Sequence, residues 1–526
     1  MNPKYELEQA FTQGKLTRRE FLQRSALLGA SVAAPGLLLS GAAQAEMKRG
    51  GVLRLGMGGG STTDTLDPGT HTDSVGINLE HQLRNYLTEI APDGSLVGEL
   101  ATSWEAQPGA KKWTFELLKG VEFHNGKSLT SEDVIASVQH HIKEGSTSAV
   151  AGQMGKISSM TADGDHVVHF ELSAGNADFP WLMSDYHVSI FPSDVGWEPG
   201  IGSGPFSLVS YEPGVRAEMK ANPNYFKEGR PYFDAMTITV IQDVAARDNA
   251  LKTGQVDATN RVSQRTAHLL DRTAGVTVMK IVGTKHYTVP MLVMQPPFDN
   301  VKVRQALRLA VDREALLKTI LGGHGAVGND LPIGRNQEFY NTELPQREYD
   351  PDQAAFLLKE AGMDGLSVEL SAANAAFDGA VDAAVLYAEH AKAAGININV
   401  IRESNDGYWS NVWQNKPWSM CYWSGRPTQD WMWTIAYEDG GDWNGNHWSN
   451  PRFQELLIQA RVETDQAKRK DMYWEMQALH WEEGGTVVPL FAADLMGVSE
   501  NLAVPEVISS NWELDGHRCG ERWSFA

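Results

Sequence analysis

Ser367-Val-Glu-Leu370, the stretch from Asp378 to Ala394, and Ile396-Asn-Ile-Asn-Val-Ile401 follow one another in this chain, with Gly395 between the last two. The outer two are short runs with alternating apolar residues, as half-covered strands require, and the alanine-rich stretch between them suits a helix. Gly395 can take the positive φ that ends a helix. Two strands joined by a helical crossover of this length pair in parallel, because an antiparallel pair needs only a tight turn. The unit is therefore α/β. Just upstream, Asp350 can cap a helix with Pro351 at its first position and Gln353 at N3, a capping-box arrangement that Gly362 closes. Its apolar residues Ala354, Leu357, Leu358 and Ala361 share one face. Downstream, Asn450 and Pro451 start another helix with Phe453, Leu456, Leu457 and Ala460 on its inner side.

The first half reads the same way. Gly51 to Leu55 is a strand followed by a glycine-rich turn, Gly56 to Gly60. Trp113 to Leu118, Val167 to Leu172, Met236 to Ile241 and Val276 to Ile281 are further strands. Thr130 is an N-cap for a helix through Lys143, with Asp133 at N3. A length of 526 residues exceeds one ordinary core, so two α/β lobes, or three, are expected.

Ahead of these elements, Thr17-Arg18-Arg19-Glu20-Phe21-Leu22 is a twin-arginine pattern, followed by an uncharged run from Ser25 to Ala45. Ala43-Gln44-Ala45 has the small-x-small form that a signal peptidase accepts, so cleavage is expected after Ala45. Pro35 and the glycine and serine interruptions make this run a poor membrane anchor. Removing five basic and three acidic residues takes the formal charge from −21 to −23, a surface that repels nucleic acid and anionic lipid. The two cysteines, Cys421 and Cys519, are widely spaced and read as unpaired, partly buried thiols.

Catalytic and cofactor motifs fail on spacing. Gly126-Lys127-Ser128 lacks the glycine that a phosphate loop needs at position 121, which is Val, and the Gly56 to Gly60 turn lacks the third glycine of a dinucleotide fingerprint. His140 and His141 are adjacent, point to different sides of a helix, and read as surface or edge residues. Neither a metal nor a cofactor is expected. One region is unusual: eight of the sixteen tryptophans fall between Trp409 and Trp448, on a stretch with poor helical periodicity that also carries Ser424-Gly425-Arg426-Pro427 and Asp430. Core packing accounts for about half of such rings. Large rings on irregular backbone beside glycine and charge also suit the wall of a ligand pocket.

A series of motifs spans nearly the whole chain after Ala45. Asp64-Thr-Leu-Asp67-Pro68 comes first. Leu100-Ala-Thr-Ser-Trp104-Glu105, Gly120-Val-Glu-Phe-His124-Asn125-Gly126 and Thr130-Ser-Glu-Asp133-Val134 follow at close spacing. Gly202-Ser-Gly204-Pro205-Phe206, Asn222-Pro-Asn-Tyr225, Val303-Arg304-Gln-Ala306, Ala310-Val-Asp312-Arg313 and Ser449-Asn450-Pro451 complete it. Together they resemble the extracytoplasmic solute-binding proteins of family 5, the peptide-binding subunits of ABC importers. The resemblance implies an α/β, two-lobed periplasmic binding protein fold with three subdomains and a ligand cleft between the lobes. It places the first lobe at 46–87, 200–289 and 496–526, an inserted subdomain at 88–199, and the second lobe at 290–495. It also implies a monomer that hands a peptide or peptide-like solute to permease subunits with their ATPases, without catalysis.

Many peptide binders of the family carry an acid shortly after a W-[ST]-G stretch, where it pairs the ligand's amino group. Here Trp423-Ser424-Gly425 is followed by Arg426, and the first acid is Asp430. The expected site is therefore Arg426 and Asp430 for polarity, Trp423, Gly425, Trp431 and Trp443 for the wall, and His71 with Asp73 from the opposite lobe. A local ion pair between Arg426 and Asp430 is the bland alternative. At the level of function, the alternatives are an exported hydrolase with a clefted α/β fold, or a binder of metal, haem, opine or oligosaccharide with the same fold.

Overall fold

The strand Val52–Met57 lies inside a nine-stranded mixed sheet and runs parallel to both its neighbours, Ala235–Val240 and Ala258–Thr259. A computed structural model describes residues 48–526 apart from Asp442; the expected export signal and its cleavage point lie outside the described residues. Leu53, Leu55 and Met57 are fully buried at the period of two that a strand imposes. Beyond Ala235–Val240 the sheet continues antiparallel through Arg216–Ala221 to Phe206–Glu212.

On its other side the sheet is carried by two long antiparallel strands, Val276–Pro290 and Thr486–Ser499. Their register runs from Val276 opposite Ser499 to Val282 opposite Ala493, and resumes at His286 opposite Phe491. Gly283, Thr284 and Lys285 thus leave the ladder as a bulge, which bends a strand and redirects its side chains. A Cβ at Gly283 would press on the Ser510 carbonyl, so glycine is needed where these segments meet. On one side of the bulge Ile281, Met496 and Val498 enter the core built around Leu53 and Met236. On the other side Tyr287, Val289, Val487 and Leu490 enter a second core with Leu307, Leu370 and Tyr387. The same pair of strands therefore serves two hydrophobic cores.

The parallel pair expected from sequence is present. Ser367–Ala372 lies beside Asn397–Arg402 in register, Ser367 opposite Asn397, joined by the helix Ala380–Ala391. Ala380, Ala383, Ala384, Tyr387 and Ala391 form that helix's buried face. A third core belongs to an antiparallel sheet of Ala101–Ala106, Lys112–Leu117, Val167–Leu172 and Ile157–Ala162, covered by the helix Ser131–Ile142. Thr130 caps that helix in a capping box with Asp133, whose Oδ2 accepts the Thr130 amide at 2.9 Å. Each such cap contributes about 1 kcal/mol.

Three readings change. The strand expected to stop at Ile281 continues to Pro290, because the bulge interrupts alternation without ending the pairing. His140 and His141 are not surface residues: both are buried, with His140 Nε2 2.7 Å from Asp67 and His141 Nδ1 2.8 Å from the Ser148 hydroxyl. The helix end carrying them packs against the loop from Asp67 to Thr70 and the segment around Ser148, so neighbouring side chains both find polar partners inside. Cys421 and Cys519 are unpaired, as expected, but wholly buried.

Burial also sets how stability responds to acid. It lowers His286 to about 4, and His480 and His517 to about 3, from a reference of 6.5. Their folded pKa values lie below the unfolded ones, so the unfolded chain binds more protons as pH falls from 6.5. Asp430, raised to about 6 by burial, and Glu338, Glu513 and Asp515, raised by burial as well, act in the opposite direction, but burial also lowers His81, His124 and His141. The melting temperature should fall steadily between pH 7 and pH 5. A flat or rising profile in differential scanning calorimetry would contradict this assignment.

Candidate functional site

The bulge at Gly283 to Lys285 opens onto a cavity of about 810 Å³, within the roughly 300–1,000 Å³ typical of small-ligand sites. Its wall is assembled from separate stretches of chain: Thr72 to Ser74, residues between Trp181 and His187, the bulge itself, Tyr422 with Ser424 to Pro427 and Trp431, and residues between Ser509 and Arg518. Gly425 is required at its position. Its φ is 78°, and an added Cβ would run into Thr284, so only glycine lets this loop press against the bulge.

Arg426 follows at the cavity wall. Its Nη1 donates to the Gly425 carbonyl at 2.6 Å, and its guanidinium carbon lies 5.9 Å from the ring centroids of both Trp423 and Trp431. Its own carbonyl accepts from Gln337 Nε2 at 2.9 Å, which fixes the backbone. Burial lowers the Arg426 pKa, which leaves it a cation at neutral pH.

Of the residues expected from sequence, Gly425, Arg426, Trp431, Trp443 and Asp73 come together on this wall. Trp423 stands behind it, in ring contact with Trp443 at 5.9 Å. His71 and Asp430 are not wall residues. His71 is buried against Glu80 at 3.1 Å, and Glu80 in turn accepts from Arg84 at 2.9 Å. Asp430 pairs with Arg461 at 3.3 Å rather than with Arg426. The reason is local: Thr428 caps the helix Gln429–Tyr437, so Arg426 precedes the helix while Asp430 lies in its first turn and faces inward.

Sequence reading missed Asp185, Tyr186, Lys285, Trp512 and Glu513. Tyr186 and Trp512 meet edge to face at 5.6 Å. Trp512, Leu514, Asp515 and His517 all have positive φ, between 52° and 85°. Strained backbone of this kind persists only where its surroundings hold it, and it clusters at binding sites. Nothing in residue type announces it. Among the described residues, Glu89, Glu99 and Glu521 form a carboxylate group close enough for a cation, but Lys227, Arg518 and Arg522 already neutralise it.

A buried ion pair joins the core of the antiparallel sheet to a fourth core, in which Tyr473 and Met476 pack with Trp433 and Phe453. Asp178 starts the short helix Phe179–Leu182, and Phe179 belongs to the core of the antiparallel sheet. Arg469, on the helix Gln466–Glu483, donates to Asp178 at 2.6 Å. Beside it, the Ala177 amide donates to the Arg461 carbonyl at 2.7 Å.

Residues 95–445 match the family described as bacterial extracellular solute-binding proteins, family 5 Middle. The dipeptide-binding protein of Escherichia coli (strain K12) is 25% identical over 472 residues, covering 80% of this chain and 85% of that one. Among solved structures, the periplasmic binding protein DppA of Helicobacter pylori, in complex with the peptide STSA, is similar with a TM-score of 0.69 at 19% identity. That match covers 91% of this chain and 98% of that one. AgaA of A. tumefaciens R10, in complex with agropinic acid, gives a TM-score of 0.68 at 22% identity over 90% of this chain and 99% of that one. These neighbours share the two-lobed binding-protein fold. The chain belongs to family 5 of the bacterial extracellular solute-binding proteins.

Proposed function

We propose that this chain is the solute-capturing subunit of an ABC importer, taking a peptide or peptide-like solute into the cavity by lobe closure and presenting it to membrane permease subunits. The observation that carries the reading is the pair of long strands that feed two cores and break register where they reach the cavity. In this reading 46–87, 200–289 and 496–526 form one lobe, 88–199 is inserted in it, and 290–495 forms the other. Bending at the bulge changes the cavity without unpacking either core, which is how a hinge works. The protein acts as a monomer and performs no chemistry on its cargo. Mass spectrometry of protein purified without denaturation should detect an intact peptide-like solute released on unfolding. Conversion of peptides to fragments by the pure protein would overturn the reading in favour of a hydrolase.

Export follows the twin-arginine route, with cleavage after Ala45. Replacing Arg18 and Arg19 by Lys should hold the precursor in the cytoplasm, because that pathway reads the arginine pair. Undiminished periplasmic protein in that variant, measured by fractionation, would contradict this route.

A further inference from the structure

A second cavity, of about 730 Å³, lies beside the first. Its wall takes in the loop from Asp93 to Leu96, part of the strand Ala101–Ala106, and the segment from Arg335 to Glu338. Glu105, Arg335 and Asn336 on that wall are exposed, so this cavity opens to solvent. Between the two cavities is a gap of about 10 Å³, lined in part by Asp178, Glu338, Pro427 and Arg469. Pro427 also faces the first cavity, and Glu338 and Arg469 also face the second. Such a gap has room for about one water and no more. Among the described residues, Trp181 alone lines the first cavity, the gap and the second cavity.

Core packing does not account for this ring. Phe179 and Leu182, three residues apart on the short helix Phe179–Leu182, share a face that packs into the core of the antiparallel sheet. Trp181 points elsewhere: it is half-buried and belongs to none of the cores. Among the described residues its indole makes no hydrogen bond and no ring contact. Its backbone, by contrast, is fixed on both sides. The Trp181 amide donates to the Asp178 carbonyl at 2.9 Å, its carbonyl accepts from the Ser184 hydroxyl at 2.8 Å, and Arg469 holds the Asp178 carboxylate at 2.6 Å. The backbone thus carries a large, rigid side chain to the boundary between two spaces. We infer that Trp181 is a partition that sets the longest peptide this protein can take. This rests on the peptide-binding reading above and adds a length limit to the same cavity. With the indole in place, a chain longer than the first cavity meets a wall, and exclusion of this kind is specificity by clash rather than by attraction. Without it the two cavities become continuous, and the end of a longer chain can lie in the solvated second one.

The test uses the mature protein, stripped of bound solute, and random-sequence peptide libraries of each length from dipeptide to octapeptide. After incubation and desalting the protein is denatured, and the peptides it retained are identified by mass spectrometry. The parent should show a length limit, with retention falling about tenfold or more in a single step of length. In Trp181→Ala that limit should move to longer peptides while the short ones are still retained. Trp181→Leu, which keeps an apolar contact, should move it in the same direction, and decides the matter if circular dichroism shows the alanine variant unfolded. An unmoved limit, or loss of peptides of every length from a folded variant, would overturn the inference and leave the peptide reading intact. So would a parent that retains octapeptides as well as tripeptides, or two variants that both fail to fold. Failure of the parent to retain any peptide would overturn the peptide reading and the length limit with it.

Discussion

Asp178→Asn should weaken solute binding by about a hundredfold while leaving each core folded. The substitution keeps the volume of the side chain but removes the charge that Arg469 meets at 2.6 Å, in a place where both side chains are almost fully buried. Removing one partner of a buried pair costs about 3–5 kcal/mol, mostly for the charge left behind. Arg469 also donates to the Ala460 carbonyl at 3.1 Å and to the Tyr473 hydroxyl at 3.2 Å, so its position is retained and the penalty is not relieved by movement. In the proposed hinge the pair spans the two lobes, so the penalty falls on the closed form and lowers apparent affinity by reducing the population competent to hold ligand. Titration calorimetry reads the change. An affinity within about threefold of the parent would show that this pair does not govern closure.

The second large effect concerns folding. Asp330 is fully buried and accepts from Arg313 at 2.8 and 2.7 Å and from the Val488 amide at 3.0 Å, and Arg347 Nε lies 2.8 Å away in an ion pair with it. Its backbone sits at φ 56°, a conformation that Asp tolerates better than most residues. The Arg313 and Arg347 guanidinium groups hold its carboxyl below the usual range against the effect of burial. Asp330→Ala leaves both arginines, and the nearby buried Arg308, without a carboxylate. Chemical denaturation should report a loss of about 3–5 kcal/mol; a loss below about 1 kcal/mol would mean that water takes over the role of Asp330.

The sequence was most legible where structure is local. The strand–helix–strand unit from Ser367 to Arg402 and the helices capped by Thr130, Asp350 and Asn450 stand as their side chains suggest, because caps and periodicity act within a few residues. The order of the large sheet was not legible. Val52–Met57 pairs with strands about two hundred residues away, a choice made by packing of whole lobes rather than by local propensity. The site divides along the same line. Density of tryptophan and glycine pointed to Gly425, Arg426, Trp431 and Trp443, which line the cavity. Asp430 looked equally exposed in sequence, yet one helix start turned it toward Arg461. Trp181 to His187 and Ser509 to Arg518 reach the wall through long-range contacts and left-handed backbone, neither of which residue type encodes.

The most direct test of capture by closure is small-angle X-ray scattering on the mature protein, first stripped of bound solute and then saturated with it. Bending at the bulge around Thr284 predicts a smaller radius of gyration in the saturated protein, with the solute recovered chemically unchanged. An unchanged radius at full occupancy, or recovery of the solute as cleavage products, would contradict it.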